Sequence, residues 1–89
     1  MQETEVTIIN KLGLHARAAA KLVNTAGTFG AEISLSRNGQ EVNGKSIMGV
    51  LMLAAARGST VRIRTTGEDE QAAMQALVDL VNDRFGEAE

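Results

Sequence analysis

Three stretches of the chain alternate apolar and polar residues, which is the pattern of strands that bury one face. They are residues 4–9, 32–36 and 60–65. The second runs into Asn38-Gly39, the residue pair most typical of a two-residue turn between antiparallel strands. We therefore expect a hairpin here, with a short return strand centred on Val42, and four strands in all.

Two stretches show the spacing of amphipathic helices. In the first, residues 16–26, the predicted buried face consists of Ala16, Ala19, Ala20, Val23 and Ala26. The last helix is predicted to run from about Glu70 to Arg84, with a buried face of Ala73, Ala76, Leu77, Leu80 and Val81. The acids from Glu68 to Glu70 suit its N-terminus, where a carboxylate can cap free N–H groups.

The stretch after Ser46 predicts a further, short helix that reaches about Leu53 and is apolar on every face. Ser46 is its expected N-cap. If Val50 and Leu53 point into the core, the outward residues form an apolar patch suited to docking a partner. The predicted patch residues are Ile47, Met48 and Leu51. The alternative is a helix that the last helix covers completely.

The resulting order is βαββαβα, and the predicted fold class is α+β. We expect an open-faced β-sandwich, in which three helices cover one face of a four-stranded antiparallel sheet. A ferredoxin-like split βαβ fold shares the first six elements, and the pattern alone does not separate the two. The length of 89 residues predicts a single domain over 1–89.

Composition argues against several classes of function. Nine Lys and Arg against 11 Asp and Glu, with two Phe and no Trp or Tyr, disfavour a nucleic-acid binder. Cysteine is absent, so thiol chemistry and Cys-ligated metals are excluded. The longest apolar run, residues 47–56, is too short to span a membrane, and no signal peptide is visible. We expect a cytoplasmic protein without membrane insertion.

His15 is the only histidine, and it directly precedes the first predicted helix. As N-cap it would lie where the free N–H groups of Ala16 and Arg17 converge with the positive end of the helix dipole, a position that suits an anion. A ring nitrogen would be free there as a nucleophile, and Arg17 could bind phosphate oxygens. The alternative interpretation is an exposed loop histidine without a role.

Two segments together resemble the HPr family, the histidine-containing phosphocarriers of the bacterial phosphoenolpyruvate-dependent sugar phosphotransferase system. One is Gly13-Leu14-His15-Ala16-Arg17 and the other runs from Gly44 to Val50, as Gly-Lys-Ser-Ile-Met-Gly-Val. Nearly the whole chain shares the likeness, including the Asn38-Gly39 hairpin and the acids before the last helix. The resemblance implies the open-faced sandwich already favoured by the pattern.

The resemblance also implies a site. His15 would accept a phosphoryl group on Nδ1 from enzyme I and pass it to sugar-specific IIA components. Arg17 would assist, and Ile47, Met48 and Leu51 would form the docking patch. Ser46 would be a regulatory site for an HPr kinase/phosphorylase. The implied protein is a monomer that needs neither cofactor nor metal and is a carrier rather than a stand-alone enzyme.

Ala18 departs from the pattern of the family, which usually has proline at this position. Alanine is the best helix former, so transfer is expected to survive. The departure keeps a second branch open, the nitrogen-related phosphocarriers, which regulate transport and metabolism. A regulatory binding module that carries no phosphate is the alternative from another functional class.

Overall fold

The computed structural model describes residues 1–89 and confirms the predicted order of elements. The strands are β1 (Gln2–Thr7), β2 (Glu32–Arg37), β3 (Gln40–Asn43) and β4 (Thr60–Thr66). The helices are α1 (Ala16–Gly27), α2 (Ile47–Met52) and α3 (Glu70–Asn82), followed by a 3₁₀ turn at Arg84–Gly86.

The four strands form one sheet in the order β1-β4-β2-β3, and every neighbouring pair is antiparallel. A ferredoxin-like sheet has its first and third strands at the centre. Here β4 and β2 are central, and β1 and β3 are the edges. The strand order therefore identifies the fold as the open-faced sandwich and excludes the ferredoxin-like fold.

Burial along β4 shows that only one face of the sheet is covered. Val61, Ile63 and Thr65 are buried, whereas the residues between them are exposed. On the covered side α3 packs against β1 and β4, and α1 packs against α2 and α3. The exposed face carries Arg62 and Arg64, as the alternation along this strand predicted.

The predicted hairpin is confirmed between β2 and β3. Asn38 and Gly39 have φ angles of 52° and 82°, and Arg37 pairs with Gln40 across the turn. Two consecutive left-handed residues define the turn whose twist matches the flanking strands.

The predicted bounds of β1 were wrong by two residues at each end. The ladder with β4 begins at Gln2 and ends at Thr7, opposite Thr60. Ile8 is nevertheless buried, and its N–H donates to the Ser59 carbonyl oxygen at 2.9 Å. The Gly58 N–H donates to the Ile8 carbonyl oxygen at 2.7 Å, so the two segments stay hydrogen-bonded past the end of the regular ladder.

The predicted buried face of α1 was partly wrong. The buried residues are Ala18, Ala19, Leu22 and Ala26. Ala16 is exposed, and Ala20 and Val23 are half-buried. Alanines occupy several faces of this helix, so spacing alone left its orientation open. Leu22, the largest of these buried side chains, sets it.

The last helix ends at Asn82, two residues earlier than predicted. Arg84 and Phe85 both have a φ of 55°, which breaks the helix and turns the chain back. The turn buries the Phe85 side chain completely. The residues after α3 are thereby fixed against the core.

The acids before α3 act differently from one another. The predicted carboxylate cap is not present, because the N-cap residue Asp69 makes no capping hydrogen bond to the helix. The Glu70 carboxylate accepts from the N–H of Gly67, ahead of the helix, at 3.1 Å and pairs with the Met1 ammonium at 2.6 Å. Asp69 instead reaches across to the start of β2 and accepts from the N–H groups of Gly30 and Ala31, each at 2.8 Å.

Replacing Phe85 should destabilise the fold strongly. Phe85→Ala removes a fully buried aromatic ring, and such changes cost about 3–5 kcal/mol of unfolding free energy. Urea unfolding followed by circular dichroism measures this. Leu12→Ala, at a residue that is 66% exposed, should stay within about 0.5 kcal/mol of the wild type. A loss below about 1 kcal/mol for Phe85→Ala would contradict the burial of the turn.

Asp69 should contribute to stability only above acidic pH. The hydrogen bond from Gly30 above all, and that from Ala31, lower the pKa of Asp69 below its ordinary value of 3.8. A carboxyl whose pKa is lower in the folded state stabilises the fold above the ordinary pKa, and that contribution disappears as the pH falls through the folded value.

The check is the urea midpoint at neutral pH and at about pH 3 for Asp69→Asn. We expect a lower midpoint than the wild type at neutral pH and a smaller loss on acidification. Glu68→Gln removes the same charge at the same helix end, from an exposed residue, and should leave both values near those of the wild type. Equal effects of the two substitutions would count against the bridge to β2.

Candidate functional site

The loop before α1 is fixed by its close approach to the segment after α2. Gly13 has a φ of 68°, and a Cβ there would lie 2.6 Å from the carbonyl oxygen of Ala55. The N–H of the buried Leu14 donates to the same oxygen at 2.9 Å. Glycine alone combines this φ with so close a backbone contact. The chain therefore enters α1 at a defined position.

His15 is the N-cap of α1, as predicted. Its carbonyl oxygen accepts from the Ala19 N–H at 2.8 Å, and its Nδ1 accepts from the Arg17 N–H at 3.3 Å. The first turn of α1 contains no acidic residue, so nothing on the helix itself offsets its positive end. The lone pair of Nδ1 thus lies where N–H groups and the dipole favour negative charge.

Basic side chains line the cleft beside this ring. Arg17 and Ala16 are exposed on the first turn, and Lys11 and Lys21 line the same cleft. Lys21 donates to the Phe85 carbonyl oxygen at 2.6 Å, and Lys11 pairs with the Glu89 carboxylate at 3.3 Å. Both lysines are therefore tied to the end of the chain, whereas Arg17 takes part in none of the ion pairs.

Glu87 belongs to this site and was not predicted from the sequence. Its Oε2 lies 2.5 Å from Nε2 of His15, and its Oε1 accepts from the Asn10 amide at 2.9 Å. The Asn10 amide first, and His15 next, lower the pKa of the Glu87 carboxyl. No motif marks Glu87, and the only signal was an apolar residue, Phe85, just past the predicted helix end.

The contacts of the ring define its tautomer. Nδ1 faces the Arg17 N–H, so it acts as acceptor and carries no proton. Nε2 faces a carboxylate oxygen, so it carries the proton and donates. The nitrogen at the helix N-terminus is therefore the one with a free electron pair, which is the form a nucleophile requires.

The predicted features of α2 lie outside this cleft. Ser46 is the N-cap, and its Oγ accepts from the Gly49 N–H at 3.2 Å. Ile47 and Met48 are 40% and 67% exposed, so the full coverage considered as an alternative is excluded. Leu51 is half-buried against the core, because the helix turns it toward its neighbours.

Met52 adds to this surface and was not predicted. It is 63% exposed and lies one helical turn after Met48. The predicted inward residues, Val50 and Leu53, are fully or almost fully buried. The exposed apolar surface of α2 therefore consists of Ile47, Met48 and Met52, with Leu51 at its edge.

A second cleft lies on the open face of the sheet, around Arg64. The Arg64 guanidinium contacts Glu3 on β1 at 2.8 Å and Glu41 on β3 at 3.6 Å. These pairs link three strands of the sheet across its exposed face. Glu3 and then Glu41 raise the pKa of Arg64, so the guanidinium is charged and its neighbours balance it.

No helix has the length and apolar character that crossing a membrane requires. His, Cys, Asp and Glu side chains do not gather anywhere in groups of three that could hold a metal ion.

Known proteins resemble this chain over its full length. The family described as PTS HPr component phosphorylation site matches residues 2–83. The phosphocarrier protein HPr of Cupriavidus necator is 60% identical over 89 residues, which is all of both chains. The phosphocarrier protein NPr of Shewanella violacea is 44% identical over 86 residues, or 97% of this chain and 94% of that protein.

Solved structures of the same family resemble this fold. The crystal structure of HPr-C-His from Thermoanaerobacter tengcongensis superposes with a TM-score of 0.97, at 44% identity and with complete coverage of both chains. Sequence, fold and the two motifs agree. The chain belongs to the HPr family of phosphocarrier proteins of the phosphotransferase system.

Proposed function

We propose that this chain carries phosphoryl groups in the phosphoenolpyruvate-dependent sugar phosphotransferase system. It accepts them on His15 Nδ1 from enzyme I and passes them to IIA components. The observation that supports this most is the position of His15 Nδ1 at the N-terminus of α1, where it accepts a hydrogen bond from the Arg17 N–H at 3.3 Å. A carrier of this kind works in the cytoplasm as a monomer that meets its partners in turn.

The transfer step needs only the His15 ring and the donors around it. Nδ1 attacks the phosphorus of the donor, the new N–P bond forms, and the bond to the donor breaks with its electron pair returning to the donor. The weak hydrogen bond between Nδ1 and the Arg17 N–H is released, and that N–H is then available to a phosphoryl oxygen. The N–H of Ala16 and the guanidinium of Arg17 supply further donors.

Docking places His15 Nδ1 in line with the N–P bond of the donor, which breaks during the transfer. We propose that Ile47, Met48 and Leu51 make this contact, with Met52 adding to it. Exposed methionines adapt to different partners, which suits a carrier that binds several proteins weakly. The half-burial of Leu51 gives it the smallest share of the contact.

The sugar branch is favoured over the nitrogen-related branch. Support comes from the 60% identity to a protein named HPr, against 44% to a protein named NPr. The segment Ser46-Ile47-Met48-Gly49 supports it as well, because it has the serine that the sugar branch uses for regulation. Ala18 does not oppose this assignment, since its N–H lies in the first turn, where no intrahelical acceptor exists.

Ser46 is the proposed regulatory site, for an HPr kinase/phosphorylase. Its Oγ caps α2 and lies next to the exposed Ile47. A phosphate there would be compatible with the helix N-terminus but would place negative charge beside the docking patch. Partners with acidic rims would then dock more slowly.

The proposed carrier function predicts phosphorylation of His15. After incubation with phosphoenolpyruvate and enzyme I, intact-mass spectrometry should show one acid-labile phosphate on the wild type. His15→Asn retains a good N-cap but has no ring nitrogen, so it should remain unmodified. If the wild type takes no phosphate from its cognate enzyme I, the chain is a docking module instead.

The same measurement separates the two branches. With the enzyme I of the sugar system and its nitrogen-related counterpart supplied in parallel, the sugar enzyme should transfer faster. A faster transfer from the nitrogen-related enzyme would assign the chain to the other branch.

A further prediction concerns Ser46. Ser46→Asp should slow transfer from enzyme I about tenfold, because it adds a negative charge beside the docking patch. Ser46→Asn caps the helix equally well without a charge and should transfer like the wild type. Rapid-quench kinetics of the two variants provide the comparison, and equal rates would show that charge at this position does not regulate docking.

A further inference from the structure

We infer that Glu87 is the positioning residue for His15, holding the ring proton on Nε2 so that Nδ1 stays free to take the phosphoryl group. This role rests on the proposed function, and it adds to the His15 site a residue that is distant in the sequence. The geometry that points to it is the 2.5 Å contact between Glu87 Oε2 and His15 Nε2. The other ring nitrogen, Nδ1, accepts from the backbone N–H of Arg17.

The carboxylate itself is held on its other side. Oε1 of Glu87 accepts from Nδ2 of Asn10 at 2.9 Å, and the same Nδ2 donates to the Gly13 carbonyl oxygen at 2.8 Å. Asn10 is completely buried, and its Oδ1 has no partner. A buried oxygen without a partner is unfavourable. The amide keeps this orientation because both of its acceptors lie on the NH₂ side.

Each oxygen of Glu87 therefore faces an N–H donor. A carboxylate can accept from both donors at once, whereas the amide of glutamine has one acceptor and one donor. Asn10, Glu87 and His15 form a chain of two hydrogen bonds in which only an acidic residue fits the middle position. The order resembles the arrangement in which a carboxylate orients a catalytic histidine.

The backbone around Glu87 is fixed independently of His15. Phe85 is buried two residues earlier, and its carbonyl oxygen accepts from Lys21. Two residues later, the Glu89 carbonyl oxygen accepts from the Lys11 N–H at 3.0 Å. Glu87 thus lies between two anchored points, which limits how far its carboxylate can move from the ring.

The transfer chemistry explains what this position contributes. When the Nδ1 lone pair forms the N–P bond, the proton remains on Nε2 and the ring acquires a positive charge. The negative carboxylate already in place stabilises that charge as it develops. No proton has to leave or arrive during the step, and the reverse transfer to an acceptor restores the neutral ring.

Other charges around the ring do not replace Glu87. Arg17 and Lys21 on α1 and Lys11 in the preceding loop are all positive and oppose a cationic ring. Glu89 is the only other acid lining the cleft, and it pairs with Lys11. Glu87 is therefore the one negative group in direct contact with the imidazole.

The test combines ring spectroscopy with kinetics on the full chain. In ¹⁵N-labelled, unphosphorylated wild type, the imidazole should show a slowly exchanging proton on Nε2 and an unprotonated Nδ1. Glu87→Gln and Glu87→Ala should lose the slow Nε2 proton signal. Transfer from enzyme I should slow about tenfold in kcat with little change in KM, because docking is untouched and a charge-assisted hydrogen bond is lost.

Asp83→Asn is the matched control. It removes a negative charge from the same end of the chain, but from an exposed residue that lies outside the cleft. Its ring spectrum and kcat should match the wild type. Equal losses of kcat in Glu87→Gln and Asp83→Asn would overturn the role, since general charge would then be the cause, and so would an unchanged ring spectrum in both Glu87 variants.

The two measurements distinguish a failure of the proposed function from a failure of the role of Glu87. If enzyme I does not phosphorylate the wild type, the proposed function is wrong, while the ring spectra still show whether Glu87 holds the Nε2 proton. If phosphorylation proceeds normally in Glu87→Ala, the carrier function stands and Glu87 is not its positioning residue.

Discussion

The position of His15 depends on how closely the loop before α1 lies against the backbone at Ala55. A side chain at Gly13 would collide with that carbonyl oxygen, and the N–H of Leu14 bonds to it. The buried Asn10 holds the same loop from within through the Gly13 carbonyl oxygen. The helix cap, the basic cleft and the contact with Glu87 all follow from this one placement, so a shift of the loop would move them together.

Features specified by neighbouring residues could be predicted from the sequence. Asn38-Gly39 fixes its turn through its own backbone angles, and the caps formed by His15 and Ser46 each use an N–H two or three residues further along the chain. The alternation along β4 identified its buried side, since one face of the sheet is covered and the other is not. For the sheet, the pattern left open which strands are neighbours, because pairing order is decided by packing between distant segments.

Features that depend on distant contacts could not be predicted. The buried face of α1 was misjudged because an alanine-rich helix offers several similar faces, and the helices around it select one. Asp69 looked like a cap, yet its partners Gly30 and Ala31 lie 38 or more residues away. The hydrogen bond between Asn10 and Glu87 joins residues 77 positions apart, and no local sequence pattern around either residue predicts it.

The contact between His15 and Glu87 joins two residues that lie 72 positions apart in the chain. Synthesis on the ribosome proceeds from the N-terminus, so a nascent chain contains His15 long before it contains Glu87. Even a chain that has reached Asn82, with every strand and helix present, still lacks both the buried Phe85 and the carboxylate. The surroundings of the imidazole therefore form only after the chain has been extended past Glu87, and a chain truncated before that residue carries the same histidine without its carboxylate partner.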